Sequence, residues 1–184
     1  MREKLHVLFQ SRNRENVTMA FELTDSLGLE EKEILELFSL QELPTNFESI
    51  KAALNEYPSS GMIALWLLSL AAKWQKPWVW NITELSFPPH TIFSIPDNIA
   101  YLTQLEMLDL SNQPLEASPP PCTAFKLSQV QWSIWGEEIC LMTQLKHLDL
   151  SKARISVLPK TLGDLTQLHT LDIQNHQLLD IPTW

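Results

Sequence analysis

Residues 142–159 read MTQLKHLDLSKARISVLP, and residues 165–182 read LTQLHTLDIQNHQLLDIP. The two stretches start 23 residues apart and share an apolar triplet at relative positions 1, 4 and 6: Leu145, Leu148, Leu150 and Leu168, Leu171, Ile173. Residues 102–119, LTQLEMLDLSNQPLEASP, carry the same triplet at Leu105, Leu108 and Leu110. A fourth copy, Ile82, Leu85 and Phe87, lies 23 residues before that one. A proline follows each triplet start at one fixed offset: Pro96, Pro119, Pro159 and Pro182. A period this long marks repeated structural units. Each is too small to bury its own apolar residues, so stacked neighbours must bury them.

One interval breaks the period. Leu105 and Leu145 are 40 residues apart, 17 more than one period. Either a loop is inserted, or a further repeat is hidden at Leu127, Val130 and Trp132. The residue five before each start reads Ala100, Cys122, Cys140 and Gly163, small throughout. That column favours the hidden repeat. The reading is five repeats starting near 82, 105, 127, 145 and 168, with the third shortened and turning at Gly136.

Upstream, the spacing is helical. Leu5, Leu8 and Phe9 share one face, and Val17, Ala20, Phe21 and Thr24 share the next, with Gly28 as its stop. Ile34, Leu37 and Phe38 mark a third helix. Thr45 followed by Glu48 reads as a capping box opening a fourth helix, which buries Ile50, Ala53, Leu54 and Tyr57. Met62–Ala72 is apolar on every side and is expected to be the central helix. The boundary falls at Gln75–Pro77. This divides the chain into a helical N-terminal domain, 1–76, and a repeat domain, 77–184.

Composition narrows the function. The chain has 184 residues, 45% hydrophobic, with a net charge of −9. The first 76 residues hold 8 basic and 11 acidic groups, and the rest hold 5 and 11. Neither part has the cationic excess that phosphate neutralisation or anionic lipid requires, so neither nucleic acid nor membrane is expected as a partner. The uncharged run Met62–Ala72 is far shorter than the roughly 20 residues of a membrane span. No secretory h-region is visible in Met1–Gln10. Two cysteines are not a disulfide framework, so a cytoplasmic protein is expected. With four glycines, no glycine-rich phosphate loop exists, and no nucleophile-and-base constellation is apparent. The expectation is a protein without cofactor or catalytic activity.

The three quoted stretches resemble leucine-rich repeats. The 23-residue length, with proline after the variable segment, is similar to the plant intracellular Ras-group-related type and its bacterial relatives. The resemblance covers residues 82–184, and the helical part sits where such proteins carry an N-terminal cap. It implies an α/β fold: a leucine-rich-repeat solenoid with about five short parallel strands on its concave face, preceded by an all-α helical domain. One departure is systematic. The family's asparagine at position 9 is replaced by His90, Gln113, Trp135, Ala153 and His176. Gln and His still hydrogen-bond, whereas Ala153 and Trp135 cannot replace an amide. Some backbone groups at the bends must then find other partners.

On that fold, positions 3, 5 and 7 face the concave side. The candidate partner-binding residues are Glu84, Met107, Asp109, Gln129, Gln131, His147, Asp149, Thr170 and Asp172. Asp149 and Asp172 fall on neighbouring strands, where the acids attract a basic partner group, or are simply solvated or bonded to Ser111 or Ser151. Trp135 has no evident core slot and is the candidate exposed anchor. Trp66 and Trp74 belong to the helices, and Trp78 and Trp80 are expected to wedge at the junction. Cys122 and Cys140 occupy equivalent small positions and are read as core packing. His147, Asp149 and Asp172 lack the second shell of a metal or base site, so no metal is assigned. The last repeat stops at Trp184, short of a full period, so an end-to-end homodimer is expected there. The expected function is a non-enzymatic protein-interaction module binding through the concave face. The alternative is the substrate-recruiting part of an effector or ligase-like system whose catalytic domain lies elsewhere.

Overall fold

The computed structural model describes residues 2–115, 137–153, 158 and 160–174. Two compact units emerge, and the chain passes between them more than once. One is Met1–Thr83 with Pro96–Gln104, and the other is Glu84–Ile95 with Leu105–Trp184.

The first unit is built on helices α1 (Arg2–Phe9), α2 (Arg14–Ser26), α3 (Glu31–Leu37), α4 (Phe47–Ala53) and α5 (Ser60–Lys73). Asparagine side chains cap the starts of α2 and α4. Asn13 Oδ1 accepts from the Glu15 amide at 2.9 Å, occupying an N–H that lacks an intrahelical partner. Gly28, with φ of 61°, takes the left-handed conformation just past α2 that other residues resist. The start of α4 differs from expectation. Its cap is Asn46, whose Oδ1 accepts from the Ser49 amide at 2.9 Å, and not Thr45. Both residue types cap well, so their adjacency left the sequence degenerate by one position. Ala53 is exposed, while Phe47 takes the buried place on that helix.

Every residue of α5 from Gly61 to Ala72 is buried. Its aromatic centre is Trp66, 1% exposed. The Trp66 ring lies 4.9 Å from that of Phe21, 5.8 Å from Phe9 and 6.4 Å from Phe38. α5 also packs on the short 3₁₀ helix Asp97–Tyr101. At the surface, Arg2 bridges Glu33 at 2.9 Å and Glu36 at 2.6 Å. The Glu33 carboxyl is held below the usual carboxylate range, first by the Glu30 backbone N–H and then by Arg2. The 3₁₀ helix Pro77–Asn81 buries Val79 and leaves Trp80 52% exposed. A one-turn 3₁₀ segment points adjacent residues in different directions, and Val79 takes the inward one.

The second unit holds a four-stranded parallel sheet in chain order. Its strands are β1 (Glu84–Ser86), β2 (Met107–Asp109), β3 (His147–Asp149) and β4 (Thr170–Asp172). Their register is the register of the sequence repeat: Leu85, Leu108, Leu148 and Leu171 align across the sheet. The first three are at most 5% exposed. The turns also share local bonds. Met142 N donates to Ile139 O and Leu145 N to Met142 O, as Leu165 N does to Leu162 O and Leu168 N to Leu165 O.

One expectation is corrected. A repeat starting at Leu127 would place its strand between β2 and β3. Those two strands are instead hydrogen-bonded neighbours, with Leu108 opposite Leu148. The described sheet therefore has four strands rather than five, with no strand between β2 and β3. Leu127, Val130, Trp132 and Cys122 lie outside the described residues. Cys140 is buried at the end of the short helix α6, Glu137–Cys140. The small-residue column misled because small side chains fit many slots, whereas strand adjacency leaves no mark on composition.

Candidate functional site

The exposed side chains of the sheet lie in two rows. Position 3 contributes Glu84, Met107, His147 and Thr170, and position 5 contributes Ser86, Asp109, Asp149 and Asp172. Of these, Glu84, Ser86, His147 and Thr170 are exposed, and Met107 and the three aspartates are half-buried. Because β2 adjoins β3, Asp109, Asp149 and Asp172 occupy three consecutive strands. At a strand spacing of roughly 4.8 Å they form a ladder of like charge. The hidden repeat would have interrupted that ladder with Gln129 and Gln131. Those two residues and Trp135 lie outside the described residues.

What holds like charges in line is the backbone. Each aspartate spends one oxygen on the amide two residues ahead. Asp109 Oδ1 accepts from Ser111 N at 2.8 Å, Asp149 Oδ1 from Ser151 N at 2.8 Å, and Asp172 Oδ1 from Gln174 N at 2.9 Å. These are local side-chain-to-backbone turns, and they order the chain as it leaves each strand. A local bond to Ser111 or Ser151 is one reading of the acids, and the geometry contains both, with Gln174 serving the third turn. Among the described residues Oδ2 of each makes no hydrogen bond, so every rung keeps an acceptor.

The sheet beneath is stiffened by shared carbonyls. Glu106 O accepts from Lys146 N at 2.7 Å and from His147 N at 2.9 Å, and Lys146 O accepts from His169 N at 2.8 Å and from Thr170 N at 3.1 Å. Lys146 Nζ also meets Glu106 Oε1 at 2.7 Å. His147 Nδ1 lies 2.6 Å from Thr170 Oγ1. His169, one position before β4, was not a sequence candidate. Its ring nevertheless comes within 6.3 Å of the His147 ring, centre to centre. The repeat alignment gave no signal for it, because position 2 sits outside the alternating strand pattern.

The replaced asparagine has a specific answer in the second turn. Gln113 is 1% exposed. Its Oε1 accepts from Thr91 N at 2.9 Å and Ile92 N at 2.8 Å. Its Nε2 donates to Pro88 O at 3.0 Å, Ser111 O at 3.1 Å and Phe87 O at 3.4 Å. One glutamine amide thus ties β2's exit to the turn before it. Where Ala153 stands, main-chain bonds join the turns instead: Asn112 N to Ser151 O at 2.8 Å and Lys152 N to Gln174 O at 2.9 Å. Asn112 and Lys152 both adopt positive φ at equivalent places, each 56°. Asparagine tolerates that conformation better than lysine.

Among the described residues, no three His, Cys, Asp or Glu side chains gather as an ion site. No described helix is long and apolar enough to cross a membrane.

No family model matches the chain. Receptor-like protein 1 of Arabidopsis thaliana is 50% identical over 40 residues, which are 22% of this chain and 4% of that protein. A leucine-rich-repeat protein of Leptospira interrogans superposes with a TM-score of 0.45 at 21% identity, covering 82% of this chain and 35% of that one. Each match spans well under two thirds of the other protein's length.

Proposed function

We propose that this chain is a non-enzymatic leucine-rich-repeat interaction module, cytoplasmic, that binds a protein partner on the concave face of its parallel sheet. The observation that carries this reading is the aspartate ladder. Three carboxylates are fixed in register by backbone bonds, and each presents a second oxygen. An array held before binding loses little freedom when a partner arrives. It favours a protein segment bearing lysine or arginine, with Glu84, Met107, His147 and Thr170 as the flanking row.

The test removes charge without removing the turn. Asparagine keeps Oδ1, so Asp149→Asn with Asp172→Asn preserves the local bond to Ser151 and Gln174. Each charge-assisted bond contributes about 1.5–3 kcal/mol. Affinity for the captured partner is expected to fall at least about tenfold, with a flatter salt dependence. Unchanged affinity in the double variant removes the concave face from consideration.

A self-association reading has its own support. Leu168, Leu171 and Ile173 are half-buried, whereas the equivalent Leu145, Leu148 and Leu150 are 0%, 2% and 0% exposed. Burying these side chains against a second copy would extend the apolar stack. Light scattering is expected to show mass rising with concentration, and a strict monomer at high concentration contradicts it.

A further inference from the structure

We infer that His147 and His169 form a binding site for a transition-metal ion of the zinc, nickel or copper class. The two residues come from adjacent turns, one opening β3 and one immediately preceding β4, and both are exposed. Their rings are 6.3 Å apart, centre to centre, with planes inclined at 35°.

The tautomers decide what these rings can do. His169 Nδ1 lies 2.6 Å from the Gln167 carbonyl oxygen. A carbonyl only accepts, so Nδ1 carries the proton and Nε2 of the neutral ring holds a lone pair. His147 Nδ1 lies 2.6 Å from Thr170 Oγ1, a hydroxyl that can accept the same kind of bond. With Nδ1–H donated to Thr170, His147 also presents a bare Nε2. An oxygen holding the far nitrogen is the usual way a metal-binding imidazole is oriented and made more basic.

Distance and charge agree with this. Two imidazoles on a tetrahedral ion, at about 2.0–2.1 Å each, place their ring centres about 5 Å apart. The present pair is about 1 Å wider than that, and both rings are exposed. The cation nearest in sequence, Lys146, is paired with Glu106. The aspartate ladder on the same sheet adds a field that favours a cation. Imidazole nitrogen selects zinc, nickel and copper over magnesium and calcium. No third protein donor joins the pair among the described residues, so water or a partner's side chain fills the remaining positions and affinity is modest.

The site shares His147 and Thr170 with the proposed partner face, and it is tested without a partner. The full chain is titrated with zinc chloride, followed by calorimetry and by the imidazole nitrogen signals in NMR. One zinc equivalent is expected, shifting the signals of His147 and His169. His147→Gln and His169→Gln should each lower zinc affinity at least tenfold, and Thr170→Val should lower it by less. His90→Gln and magnesium chloride serve as controls, the first leaving affinity unchanged and the second showing no binding. Both histidines are exposed, so thermal melts of the variants should match the parent. Zinc affinity retained in either glutamine variant overturns the inference, as do magnesium binding of equal strength and a titration that leaves both rings unperturbed.

Discussion

Replacing Gln113 by alanine is expected to destabilise the repeat unit by about 3–5 kcal/mol, because several buried main-chain groups lose their partner at once. The amide is 1% exposed and serves the Thr91 and Ile92 amides with its oxygen. A buried donor left unpaired costs about 1–3 kcal/mol, and two are exposed to that penalty before the carbonyls of Pro88 and Ser111 are counted. Domain stabilities are typically about 5–15 kcal/mol, so one side chain decides whether the first two turns hold together. Urea unfolding measures the loss, and hydrogen exchange localises it. Exchange at Thr91 and Ile92 should accelerate before that of the helices. An effect under about 1 kcal/mol contradicts the role given to this residue.

The second large effect lies in the helical unit. Trp66→Ala is expected to cost about 3–5 kcal/mol, the range for removing a large aromatic from a packed core. Its neighbours Phe9, Phe21 and Phe38 sit on separate helices or helix ends and cannot all collapse into one void. Trp66→Phe separates two contributions. The Trp66 indole N–H is buried and has no hydrogen-bond partner among the described residues. Phenylalanine loses volume but also removes that unpaired donor, whose burial costs about 1–3 kcal/mol. The phenylalanine variant should therefore cost less than half of what alanine costs. Equal losses in the two variants mean that the indole N–H is satisfied in solution.

Much of this architecture could be read from the chain. Leu85, Leu108, Leu148 and Leu171 align in the sheet as they align in the text, because a fixed period leaves stacking little choice. Val17, Ala20, Phe21 and Thr24 are buried together as helical spacing requires. What escaped the reading depended on contacts between distant residues. That β2 and β3 are neighbours in the sheet was one such contact, which composition alone could not give. The choice of Asn46 over Thr45 turned on backbone angles at one step. Gln113 looked like a weakened substitute for asparagine. Its extra methylene instead reaches a three-carbonyl, two-amide pocket, visible only once the turns are stacked.

The site was legible in part. The expected concave residues that fall among those described do line the exposed face of the sheet. Their grouping was not legible: Asp109 joins Asp149 and Asp172 only because β2 is next to β3. The pairing of His147 with His169 needed side-chain positions that no repeat pattern carries.

The central claim is that the partner lies on this face of the sheet. A photo-crosslinking amino acid placed at Met107 or at Thr170 reports on it directly, with Thr161 on the 3₁₀ helix Lys160–Asp164 and Met19 on α2 as comparison positions. The account predicts covalent capture of one and the same partner from Met107 and Thr170, abolished by Asp149→Asn with Asp172→Asn. Capture from Thr161 or Met19 alone, untouched by that double substitution, contradicts it.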